Sequence, residues 1–136
     1  MAEPREDEKI VQFIFGLNEP ELEDEERLKF SQKMLRELRN LDEVERADRT
    51  EDLDPEAGSK IGFATLLGIL TAQISLQNLR KFFEFLVDRL QDKPIKGKFK
   101  SGDKELEFEV NSRHELAELE KTALKIFSVM GEDRDV

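Results

Sequence analysis

Between Lys9 and Leu17 (KIVQFIFGL) the chain carries a dense apolar run of Val, Ile and Phe, short enough for a strand buried on both faces. Asn18-Glu-Pro-Glu then has the residues of a helix start, an asparagine cap with proline in the first turn. The helix is predicted from about Pro20 to Leu41. Leu28, Leu35 and Leu38, with Met34 and Leu41 beside them, form an apolar stripe on an otherwise charged surface. Asp42 to Asp48 offers one valine among acids, the barest signature of a short strand. Thr50 to Gly58 (TEDLDPEAG) reads as an acidic loop.

From Ser59 to Gln91 the apolar spacing predicts helix. At about 100° per residue, Leu79, Phe82, Phe83, Leu86 and Leu90 share one side of the C-terminal half. Phe63, Leu66, Leu67, Leu70 and Ile74 fall on roughly the opposite side of the N-terminal half. The first side continues backwards through Ala64, Gly68 and Ala72, small residues spaced by four. An unbroken helix would therefore be apolar all round in its first half and need burial on both sides. A break near Ser75 to Asn78, giving two amphipathic helices, is the alternative. The surplus face of Phe63, Leu66, Leu67, Leu70 and Ile74 is the candidate partner surface, with Gly58, Ser59 and Lys60 at its rim.

The stretch Ile95 to Val110 alternates strictly. Ile95, Gly97 and Phe99 interleave with Lys96, Lys98 and Lys100; Leu106, Phe108 and Val110 interleave with Glu105, Glu107 and Glu109. A hairpin turning at Gly102-Asp103 in a I′ or II′ turn pairs Phe99 with Leu106 and Ile95 with Val110. The same register sets Lys100, Lys98 and Lys96 against Glu105, Glu107 and Glu109, so one face is core and the other a solvated ladder of opposite charges. Ser112 and Glu115 then make an S-x-x-E capping box. It opens a last helix to about Met130, lined by Leu116, Leu119, Ala123, Ile126, Phe127 and Met130. The order β-α-β-α-β-β-α predicts a two-layer α+β fold, with three main helices on one face of a mixed or antiparallel sheet. One domain spans 1–136, with an acidic tail at 1–8 and a frayed one at 131–136.

Composition narrows the function. Of 136 residues, 38% are hydrophobic and 40% charged, and 32 acids against 22 bases leave a net charge of -10. That field repels phosphate backbones and anionic membranes, so neither nucleic acid nor a bilayer is expected as a partner. The run Ile61 to Leu76 is interrupted by Thr65, Thr71, Gln73 and Ser75 and is too short to span a membrane comfortably. The start, MAEPREDEK, lacks the apolar core of a secretory signal, and a cytoplasmic location is expected.

Candidate chemistry is sparse. Cysteine, tryptophan and tyrosine are absent, and His114 is the only histidine, in the first turn of the last helix with no visible nucleophile to serve. The acidic runs Glu21 to Glu26 and Glu51 to Glu56 read as solvated surface rather than acid–base pairs or a calcium site. Gly58-Ser59-Lys60 ends a loop and opens the predicted helix, but a phosphate-binding loop requires Lys followed by a hydroxyl residue. Here the order is reversed, and Ser59 reads as a helix cap. No catalytic residue, cofactor or metal site is expected.

The order of features from Leu28 to Phe127, roughly three quarters of the chain, resembles the effector-associated constant component family of prokaryotic conflict systems. It runs through RELRNL, PEAGSKIG (Pro55 to Gly62), ATLLGILTAQISL, LRKFFEFLVDRL and IKGKFKSGDKELEFEV, then a short helix. Order and spacing carry the likeness, more than any one residue. The resemblance implies a non-enzymatic adaptor beside or fused to effectors such as proteases, or to NTP-dependent regulators, coupling recognition of invaders to effector action. Its partner would be such an effector or a regulatory NTPase. The rival expectation is a homo-oligomeric structural module. A small nucleotide-binding or hydrolytic enzyme comes third.

Overall fold

The computed structural model describes residues 9–53 and 67–132, with side chains as far as Phe127. Phe13, Phe15, Phe99 and Phe108, with the Val and Ile of the alternating segments, favour a pleated, half-buried surface, and the described elements are arranged around a sheet. β1 (Ile10–Leu17) leads through α1 (Asp24–Arg39) to β2 (Val44–Arg49) and a short α2 (Thr50–Leu53). β3 (Leu70–Ser75) passes through a 3-10 turn, Leu76–Asn78, into α3 (Leu79–Leu90). β4 (Ile95–Ser101), β5 (Lys104–Val110) and α4 (Arg113–Glu132) follow. The five strands lie in the order β2-β3-β1-β4-β5, and every neighbouring pair is antiparallel.

The fold class is the expected α+β one, with an antiparallel sheet and three main helices, α1, α3 and α4. β1 and β2 flank β3, while β3 and β4 flank β1. The chain therefore makes two interlocked split β-α-β units, one through α1 and one through α3. The hairpin strand β5 and α4 extend that frame. All three main helices cover one face of the sheet. Val11, Phe13, Phe15, Leu70, Ala72, Ile74, Ile95 and Phe99 from the strands meet Leu38, Phe82, Phe83, Leu86, Leu116 and Phe127 from the helices.

The hairpin holds the predicted register at every position, from Ile95 opposite Val110 to Lys100 opposite Glu105. Gly102 has φ 60 while Asp103 does not take positive φ, which selects the II′ turn over I′. The polar face departs from expectation at one residue. Lys98 is buried, at 11% side-chain exposure, and its ammonium pairs diagonally with Glu105 at 3.3 Å rather than with Glu107 opposite. The twist between strands favours that diagonal, so the ladder is solvated at Lys100 and along the glutamates but not at Lys98.

The largest correction concerns Ser59 to Gln91. Residues 59–66 lie outside the described residues, but Leu70–Ser75 is a strand, paired with both β1 and β2. Leu70, Ala72 and Ile74 alternate with Thr71, Gln73 and Ser75, a period of two inside what also fits a helical spacing. Tertiary pairing on both edges decides between them. Helix begins only at Leu79, just after the predicted break, and the face of Leu79, Phe82, Phe83, Leu86 and Leu90 is buried as expected.

Two helix starts also differ. α1 begins at Asp24 with Glu23 as cap, where Glu26 accepts the Glu23 backbone N–H at 3.3 Å. Residues 19–22 form a turn instead, held by the Arg27 guanidinium, which donates to the carbonyls of Leu17 and Glu19. In the capping box of α4, the Ser112 hydroxyl accepts the Glu115 N–H at 3.2 Å, but Glu115 reaches the N–H of Asn111 rather than that of Ser112. α4 runs to Glu132, past the predicted end, and 133–136 lie outside the described residues. No helix among the described residues is long and apolar enough to cross a membrane.

Candidate functional site

Of the surface expected to meet a partner, the structure describes Leu67, Leu70 and Ile74. Leu70 and Ile74 are fully buried in β3, facing the helices, because their strand is interior to the sheet. Leu67 is half-buried in the turn before β3. Gly58, Ser59, Lys60, Phe63 and Leu66 lie outside the described residues. His114 is exposed in the first turn of α4. Glu51 and Asp52 are tied to Arg49 at 3.5 and 3.2 Å.

A different site emerges from the helix layer. α1 packs over β2 and β3, while α3 packs against α4. Between α1 and α3, above the C-terminal end of β1, lies a cleft of about 390 Å³. Its size falls in the range of roughly 300–1,000 Å³ typical of ligand pockets. Positions 26, 29, 30, 33, 34 and 37 of α1 line one wall, a spacing of three and four that keeps them on one helix face. Leu17 at the end of β1 and Leu22 in the turn before α1 join Phe30 and Met34 as its apolar part. Met34 and Leu17 are buried, whereas Leu22 and Phe30 are half-buried. Phe30 meets the core ring of Phe15 edge-on, with centroids 6.5 Å apart.

The opposite wall is the end of α3. Arg89 reaches across to Glu37 of α1 at 3.0 Å, with its guanidinium 5.7 Å from the Phe85 ring centroid. This bridge spans the cleft, and its exposure discounts it to at most about 1 kcal/mol. Beyond α3 the chain turns sharply. Gln91 adopts φ 53 and ψ -118, the only positive φ among described non-glycine residues. The turn is fixed by the Lys93 N–H on the Leu90 carbonyl at 2.9 Å and by Asp92, which accepts the Arg113 N–H at 2.9 Å. The Pro94 carbonyl accepts the Asn18 N–H at 2.9 Å, joining the two loops at this end of the cleft.

The lining supplies apolar surface, carboxylates and cationic heads. It contains no histidine or hydroxyl side chain. Among the described residues no cluster of histidine and carboxylate side chains is arranged to hold a metal ion. The sequence carried one overlooked signal of this site. Phe30 sits on α1 outside the leucine stripe, and an aromatic there widens the apolar face toward α3. The contribution of Lys93 had no local signal, since it depends on how the α3–β4 turn folds back beside β1. Comparison with protein-family models, with curated proteins and with solved structures found no match.

Proposed function

We propose that this protein is a non-catalytic cytoplasmic adaptor, which binds another protein through the cleft between α1 and α3. The supporting observation is the cleft itself, an open furrow with an apolar interior and a charged rim, lined by groups suited to holding a side chain rather than to transforming one. The partner class, an effector such as a protease or its regulatory NTPase in a bacterial conflict system, rests on the resemblance of Leu28 to Phe127 described above. The homo-oligomer reading loses part of its motive, because Leu70 and Ile74 of the face that suggested it are core residues.

A photo-crosslinking side chain placed at Lys29, which is exposed on the cleft rim, tests the proposal in cells that carry the gene. The expected product is a covalent adduct with a second protein, identifiable by mass spectrometry as an effector or its regulator. A folded chain that yields no protein adduct overturns the reading.

A further inference from the structure

We infer that the segment held in the α1–α3 cleft inserts a bulky apolar side chain and carries acidic residues beside it, an inference that rests on the adaptor reading. Leu17, Leu22, Phe30 and Met34 present the apolar surface, and the volume of about 390 Å³ suits one or two large side chains rather than a whole helix. The sign of the flanking charge follows from which rim groups are already engaged. Glu37 is paired with Arg89, Lys29 with Glu25 at 3.6 Å, and Glu26 accepts the Glu23 N–H. Among the described residues Lys33 and Lys93 have no such partner, and Glu19 is the one carboxylate of the lining whose side chain makes no hydrogen bond or ion pair. The lining as a whole carries four cations, Lys29, Lys33, Arg89 and Lys93, against the three carboxylates of Glu19, Glu26 and Glu37, a local surplus of positive charge in a chain whose net charge is -10.

A carboxylate beside the inserted side chain is satisfied at these ammonium groups, whereas a basic segment meets two like charges. The backbone at Lys93 is also set in advance. Its own N–H and the neighbouring Pro94 carbonyl are both hydrogen-bonded, and Asp92 is tied to the start of α4. Gln91 holds a conformation that side chains rarely adopt, and such conformations persist where the surroundings over-determine them. Less ordering is then left to be done on binding.

Three fluorescent peptides of equal length test this by anisotropy against the full chain. One has a central Leu-Phe flanked by Asp and Glu, one the same pair flanked by Lys, and one the acids with alanines at the centre. The acidic Leu-Phe peptide is expected to bind at least about tenfold tighter than either control. A Lys33→Glu, Lys93→Glu double variant is expected to lose about tenfold or more for that peptide while its far-ultraviolet circular dichroism stays that of the folded chain. Preference for the Lys-flanked peptide, equal binding of the alanine peptide, or undiminished affinity in the double variant overturns the inference. The adaptor reading survives those outcomes when the Lys29 crosslink to a protein still forms. Binding of decanoate with no peptide bound, and no protein crosslink, overturns both.

Discussion

Phe13 stands in the middle of the sheet with rings on every side. It stacks on Phe15, Phe99 and Phe108 at 4.4, 4.6 and 5.6 Å and meets Phe82 edge-on at 5.4 Å. Phe99 in turn touches Phe83 and Phe127 of two helices, so Phe99→Ala removes a ring that joins both layers. Urea unfolding is expected to show a loss of about 3–5 kcal/mol. Beside it, Gly97 leaves no room for a side chain. A Cβ there would stand 1.8 Å from the Ile14 carbonyl oxygen, and Gly97→Ala must push β4 off β1 at a cost of at least about 3 kcal/mol. Lys98 gives a sharper contrast. Lys98→Glu sets a third acid beside Glu105 and Glu107 in a buried position, for a loss of about 2–3 kcal/mol. Lys98→Met keeps the stem without the charge and is expected to cost under about 1 kcal/mol. Equal losses in those two variants would show that the ammonium is solvated. The alternation of Lys and Glu made the register legible, because side chains in strands switch face at each residue. It carried no information on how deeply each face is covered.

At the scale of elements, the turn after α3 stores strain that can be relieved. Gln91→Gly removes the steric cost of positive φ at this helix end, and thermal unfolding should register a gain of about 1 kcal/mol. Lys93 keeps its place in that variant, since the hydrogen bonds of the turn are all backbone or Asp92. β3 illustrates the opposite case, an element whose identity is set from outside. ATLLGILTAQIS carries apolar residues at both helical and strand spacings, and only the edges offered by β1 and β2 select strand. A buried hydroxyl pair helps fix that choice. Thr50 and Thr71 share a hydrogen bond of 2.8 Å, and the Thr50 N–H donates to Ile69 at 2.9 Å, pinning the end of β2 to the start of β3. The hairpin, α3 and α4 were legible because their patterns are local. The start of α1 was misplaced because Arg27, a full turn inside the helix, claims the carbonyls of Leu17 and Glu19 and turns the preceding residues away.

For the whole molecule, charge and topology set the behaviour. A net charge of -10 on a small domain favours expansion through self-repulsion, while the ion pairs at Lys29, Arg46, Arg49 and Lys121 are exposed and weak. Raising NaCl from about 20 mM to about 300 mM screens both, and the repulsion is the larger effect. The thermal midpoint is therefore expected to rise with salt; a fall would mean that the surface pairs outweigh it. The cleft belongs to this scale too. Its walls come from α1 and α3, the helices of two different split units, joined across the gap by Arg89 and Glu37. Helical periodicity told what each helix buries in the sheet but not the spacing between them.

The place of β1 between β3 and β4 also bears on how the chain is made. Of the five described strands β1 is synthesised first, yet its partners end at Ser75 and Ser101. At about 5–20 residues per second, the stretch from Leu17 to Ser101 takes roughly four to seventeen seconds to synthesise. Throughout that interval at least one edge of Ile10–Leu17 waits uncovered in the nascent chain, a natural client for a chaperone that reads extended apolar segments.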